Sequence, residues 1–126
     1  MSYQITAYGD HQFDLKYEDD KLLEIIEMYI CEKKTHGQMY FTYYTLCRFI
    51  LYRAKDDNAL EGVEPNTYYE SPNISQKELT RISRLLWNLI LDRKIFVDFS
   101  NNAYMAHIGG NDTILGIREG ADYGRR

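Results

Sequence analysis

Lys77, Arg81, Arg84 and Asn88 recur at intervals of four, three and four residues, a spacing that stacks side chains along one helix face. Three long cations and an amide in such a stripe can lie along phosphates and reach base edges in a major groove. An ordinary solvated helix face that happens to be basic has the same pattern. Leu91 falls on the stripe's edge, and Trp87 sits between faces, where it is expected to pack against neighbouring elements. A second group points to different chemistry. Asp56, Asp57, Glu61, Glu64 and Glu70 surround Tyr68 and Tyr69, placing carboxylates and aromatic rings in one stretch. Such a surface suits a protein partner with a basic face, with tyrosine as the anchoring residue type.

Other chemistry finds little support. His11, His36 and His107 have no ligand spacing among themselves or with Cys31 and Cys47, so no metal and no cofactor is expected. No nucleophile elbow, phosphate loop or dinucleotide fingerprint occurs, and Gly109-Gly110 reads as a turn. The chain is expected not to be an enzyme. Both cysteines lie in apolar, helix-periodic stretches, so buried free thiols in a reducing cytoplasm are expected. No apolar run approaches the roughly 18 residues of a membrane span, and the first residues lack a signal-peptide pattern.

The stripe needs a helix to carry it, and the local signals supply one. Ser75-Gln-Lys-Glu78 has the form of a capping box, opening a helix that runs to about Asp92. Leu79, Ile82, Leu85, Leu86, Leu89 and Ile90 form its core face. Upstream, Leu22, Ile25, Ile26, Tyr29 and Ile30 mark a first helix that Asp19-Asp20 can cap and Gly37 can close. Residues 39–55 are apolar almost all round and read as a central, buried second helix. Residues 3–8 and 12–17 alternate apolar and polar around Gly9-Asp10, which predicts an N-terminal hairpin. The stretch 56–74, with five acids, three Asn and two Pro, reads as a long functional loop. Ile95–Phe99 and Ala103–Ile108 flank Ser100-Asn101-Asn102 as a second hairpin, and 113–117 can add a third strand.

Two helices, then a capped helix with a cationic stripe, then a hairpin with an Asn-rich tip, resembles a winged helix. The stretch Ser75 to Ile108 is similar to the recognition helix and wing of phage regulators and replication-initiation modules. The resemblance spans about residues 20–108 and consists of element order rather than a signature motif. It implies a three-helix core with a C-terminal wing; with the N-terminal β-hairpin and third strand read above, the expectation is one winged-helix-like α+β domain over residues 1–118, followed by a tail at 119–126. It also implies base and phosphate readout by Lys77, Arg81, Arg84 and Asn88, with Lys94, Asn101 and Asn102 touching the DNA backbone. Two departures stand out: a long acidic loop replaces the usual tight turn before the recognition helix, and the wing carries Asp98 with little positive charge.

Composition bounds these readings. At 126 residues, 44% hydrophobic and 27% charged, the chain has the make-up of one ordinary globular domain. Aromatics reach 14%, and 12 of them are Tyr, which suits half-buried surfaces and interfaces. The net charge of −4 has the wrong sign for coating nucleic acid, but it is unevenly distributed. Residues 1–74 hold 13 acids against 7 bases, a net of −6, while residues 75–126 hold 6 against 8, a net of +2. Two expectations follow. One is a small cytoplasmic, dimeric winged-helix DNA-binding regulator, whose size and Tyr/Asn richness fit a phage or mobile-element origin. The other is a protein–protein module or inhibitor that acts through its acidic face and the 56–74 loop. The first expectation includes a homodimer, and neither includes a membrane.

Overall fold

The apolar spacings at 22–30 and 79–90 fold as the helices they predict, and what surrounds them differs in instructive ways. The computed structural model describes residues 4–98 and 113–120. Among these, the elements are β1 (Ile5–Phe13), α1 (Asp19–Thr35), β2 (Tyr40–Thr42), α2 (Tyr43–Asp56), β3 (Thr67–Ile74), α3 (Gln76–Leu91), β4 (Ile95–Val97) and β5 (Ile114–Ile117). The fold is α+β with two sheets. One is the pair β1–β3; the other has three antiparallel strands in the order β2-β5-β4.

Each helix buries one face against a common core. Leu22, Ile25, Ile26 and Ile30 come from α1, Leu46, Ile50 and Ala54 from α2, and Ile82, Leu86 and Leu89 from α3. Ile95, Leu115 and Ile117 close the core from the small sheet. Burying a Leu or Ile side chain contributes about 1.5–3 kcal/mol, so α3 owes its position to this face rather than to its cap. Tyr43 is buried with its hydroxyl donating to the Leu79 carbonyl at 3.0 Å, which ties α2 to α3. Burial raises the pKa of the Tyr43 hydroxyl and pushes the half-buried Cys47 thiol up to about 12.

Four expectations are corrected. The N-terminal hairpin does not form: residues 5–13 are a single strand, and its partner is β3, running parallel. Gly9, with φ of +88°, serves a register shift between Ala7 and Asp10 instead of a reversal. The 56–74 stretch is not all loop, because its last eight residues are β3. Asn58 and Asn66 do sit in left-handed turns, as turn chemistry predicts. The second helix is shorter than expected and partly open: 40–42 form β2, Thr42 Oγ1 accepts from the Thr45 amide as its cap, and Tyr44 and Tyr52 are exposed. Cys31 is exposed rather than buried. Residues 99–112, including the expected hairpin arm 103–108, and the tail from 121 lie outside the described residues. The expected third strand is β5, which pairs with β4.

The small sheet is organised by one glycine. Gly116 stands opposite both Tyr40 and Phe96, whose rings meet edge to face at 6.2 Å across the central strand. The Phe96 ring lies where a Cβ on Gly116 would be. Gly116→Ala is therefore expected to displace the ring and cost about 1–3 kcal/mol, read as a lower unfolding midpoint in thermal melts. An unchanged midpoint would show that the ring moves aside freely.

Candidate macromolecular interface

The two groups of candidate residues fall on different parts of the molecule, and the first is largely neutralised. α3 begins at Ser75, but the expected capping box does not form. The Ser75 hydroxyl makes no cap bond and instead donates to Asp14 Oδ1 at 2.5 Å. That hydroxyl is the main reason the Asp14 carboxyl sits below its usual range, against a smaller opposing effect of burial and with help from Lys77. Glu78 turns inward and is buried, accepting the Leu15 amide at 2.9 Å. A carboxylate buried alone would be costly, and Arg81 relieves this: its Nε lies 2.9 Å from Glu78 Oε1, close enough for an ion pair though not aligned as a hydrogen bond. Arg81 Nη1 also donates to the Tyr17 carbonyl at 2.7 Å and to Asp19 Oδ1 at 3.2 Å.

Asp19 takes a second cation. Arg84 Nη2 donates to its other oxygen at 3.1 Å, and Lys77 Nζ lies 3.5 Å from Asp14 Oδ2. Lys94 is drawn the other way, toward the fully buried Glu27, with Nζ at 3.4 Å from Oε2. Arg93, with φ of 60°, turns the chain at the end of α3 and leads it into Lys94. The stripe thus divides. Arg81 and Lys94 serve the fold, whereas Lys77, Arg84 and Asn88 stay on the outward side of α3. That side also carries Trp87 at 40% exposure and Leu91 at 76%, so Trp87 is not packed away as its position suggested. Asn101 and Asn102 lie outside the described residues.

The second group is more accessible. Asp56, Glu61, Glu64, Tyr68 and Glu70 are exposed. Tyr68 stands opposite Thr6 in the β1–β3 register, and Tyr8 on the same ribbon is 77% exposed. Glu70 Oε2 accepts the Gly9 amide at 3.1 Å, which fixes the irregularity in β1. Tyr69 faces the body, edge-on to Phe13 at 4.9 Å and to His11 at 5.0 Å, while its hydroxyl accepts the Glu64 amide. Asp57 is also structural, accepting from the Tyr17 hydroxyl at 2.6 Å and from Arg53 Nε at 3.1 Å. A depression beside this group is lined by Lys16, Lys55, Val63, Glu64 and Pro65. No group of three or more His, Cys, Asp or Glu among the described residues is placed to hold a metal ion. No helix among them is long and apolar enough to cross a membrane.

Sequence reasoning missed Asp14, Asp19 and Glu78 as partners of the stripe. Asp14 lies 63 positions from Lys77, and Asp19 lies 62 and 65 from the arginines, so no local spacing announces these two; Glu78, three residues before Arg81, reads instead as the cap partner of Ser75. Comparison with protein-family models, with curated proteins and with solved structures finds no match to this chain.

Two predictions follow from these contacts. Glu78→Ala is expected to cost about 2–4 kcal/mol, less than a fully enclosed ion pair because Arg81 is partly exposed to water. Pairing it with Arg81→Ala should give a loss smaller than the sum of the two single changes, measured by denaturant unfolding. Additive losses would rule out the coupling. The second concerns acid. The Tyr17 hydroxyl, followed by the weaker help of Arg53, holds the Asp57 carboxyl below its usual range despite some opposing desolvation. A native pKa below the unfolded value means stabilisation that is complete above about pH 4–5 and fades as pH falls through the native pKa. The stability gap between wild type and Asp57→Asn should therefore shrink between pH 5 and pH 2, on the order of the whole carboxylate range. A gap constant over that range would contradict it.

Proposed function

We propose that this chain is a winged-helix-type domain that works by binding, without catalysis, to a protein with a basic surface. Two features support the architecture. The order α1, β2, α2, α3, β4, β5 and the sheet order β2-β5-β4 are those of a helical core with a small antiparallel sheet beside its last helix. The 56–74 stretch, carrying β3, is an addition between α2 and α3 that pairs with β1. The observation that carries the functional reading is the contrast between the two candidate surfaces. Lys77, Arg81 and Arg84 of α3 already face Asp14, Asp19 and Glu78, and Lys94 beyond its end faces Glu27, whereas Glu61, Glu64 and Glu70 stand exposed beside Tyr8 and Tyr68. Carboxylates steer a basic partner, and a tyrosine ring supplies buried contact area once it arrives.

Duplex DNA is the second reading, favoured by Lys77, Arg84 and Asn88 lying in line on the outward side of the helix that a winged helix inserts into a groove. Phosphates placed there would meet Glu18, Asp19 and Asp20 at the start of α1. A cytoplasmic regulator or inhibitor fits either partner.

Two assays separate these readings. On an array of arginine- and lysine-rich peptides, wild type should bind with an affinity that falls as salt rises. Tyr68→Ala should weaken that binding about tenfold, and Glu61, Glu64 and Glu70 changed together to Gln should abolish it. Labelled duplex should not shift even at low salt. A silent array together with a salt-sensitive shift that disappears in Lys77→Ala/Arg84→Ala would replace the first reading with the second.

A further inference from the structure

The β1–β3 ribbon has two outer edges, and the chain treats them differently. On β3, Pro72 removes an amide, and Arg48 Nη1 from α2 donates to the Pro72 carbonyl at 3.0 Å. Proline and a covering side chain are both means by which proteins block edge pairing. On β1, no proline stands in Gln4–Tyr8, and side-chain covering is limited to the Tyr8 carbonyl at one end. These residues, Gln-Ile-Thr-Ala-Tyr, include no charge and no proline, in a chain that is 27% charged. Their strand is exposed on its surface, with Ile5 at 61% and Tyr8 at 77%.

The register tells which backbone groups are open. Ile5 donates its amide to the Asn66 carbonyl at 2.7 Å, so Ile5 and Ala7 direct their backbone polar groups toward β3. Alternation along a strand then turns the amide and carbonyl of Thr6, and the amide of Tyr8, to the outer edge. The Tyr8 carbonyl is met there by His11 Nε2 at 3.1 Å, which leaves Thr6 as the centre of the open stretch. A two-stranded ribbon is marginal by itself in water and gains from further strands.

We infer that the Gln4–Tyr8 edge of β1 pairs antiparallel with the same edge of a second copy, forming a four-stranded sheet in the order β3-β1-β1-β3. Two-fold symmetry places Thr6 opposite Thr6, exchanging both backbone bonds, with Ile5 against Ala7 and Tyr8 against Gln4 of the other copy. Charge selects this occupant. The edge is neutral, so it attracts no charged peptide, and two copies meet there without placing like charges in register. The pairing also sets the Tyr8, Tyr68 and Glu70 positions of both copies on one continuous sheet. The inference does not depend on the proposed function, because its test reads only the oligomeric state.

Sedimentation of the full chain across a concentration series tests it. Wild type should show a reversible monomer–dimer equilibrium. Thr6→Pro removes the outward amide while leaving the Ile5 bond to β3, and should weaken the dimer at least about tenfold. Because proline can disturb the strand itself, a charge pair provides the second arm. Thr6→Lys and Thr6→Glu should each be monomeric with a wild-type circular dichroism spectrum, and an equimolar mixture should recover the dimer. A monomeric wild type would overturn the inference, as would a dimer that both charged variants retain. Charged variants that are monomeric and fail to recover on mixing would overturn the Thr6-to-Thr6 register.

Discussion

The buried carboxylate of Glu78 is the contact on which the arrangement of this protein turns. It sits in the first turn of α3, accepts the Leu15 amide just after β1, and lies against Arg81 one turn further along. One side chain therefore joins the exit of the ribbon to the start of the last core helix. A buried carboxylate needs its charge answered and its lone pairs filled, and the neighbouring groups are arranged accordingly. Arg81 is held in place by the Tyr17 carbonyl and Asp19, and Asp19 in turn holds Arg84. The Ser75 hydroxyl, which Glu78 would have matched in a capping box, is free to hold Asp14. A local capping signal has become a long-range clamp between residues more than 60 positions apart.

The fold was legible in the sequence where its determinants are local. All three helices lie where apolar spacing places them, because a buried stripe leaves a periodic trace within a single segment. The ribbon was not legible, because parallel pairing joins segments about 60 residues apart and leaves no turn between them. Gly9-Asp10 looked like a reversal since glycine supports positive φ in turns and bulges alike. β3 was hidden by its own composition: Glu70, Ser71, Pro72 and Asn73 are poor strand formers, and an edge strand tolerates them.

The candidate surfaces were legible as lists of residues but not as charge. Helical spacing correctly put Lys77, Arg84 and Asn88 on one outward face. It could not separate Arg81, which the same spacing includes, from its buried role beside Glu78. Asp57 and Tyr69 likewise belong by composition to the acidic stretch but are engaged with Tyr17 and Phe13. In both groups the residues that drop out are those whose side chains are drawn against the body of the protein, Arg81 onto the Tyr17 carbonyl and Glu78, Asp57 onto the Tyr17 hydroxyl and Tyr69 onto Phe13.

The charge asymmetry of the chain takes on a different meaning in three dimensions. Along the sequence, a net of −6 before Ser75 and +2 after it suggests two surfaces of opposite character. In the folded protein much of that asymmetry cancels internally. Asp14, Asp19 and Glu27 from the acidic part meet Lys77, Arg81, Arg84 and Lys94 from the basic part. The opposite charges of the two parts therefore help dock α3 against the β1–α1 junction and are not all offered to a partner. What remains outward is the acid of Asp56, Glu61, Glu64 and Glu70, with Lys16 and Lys55 beside Glu64 at one margin. A surface defined by what the fold has not consumed is a better guide to a partner than the formal charge of either segment, and here it is acidic and aromatic.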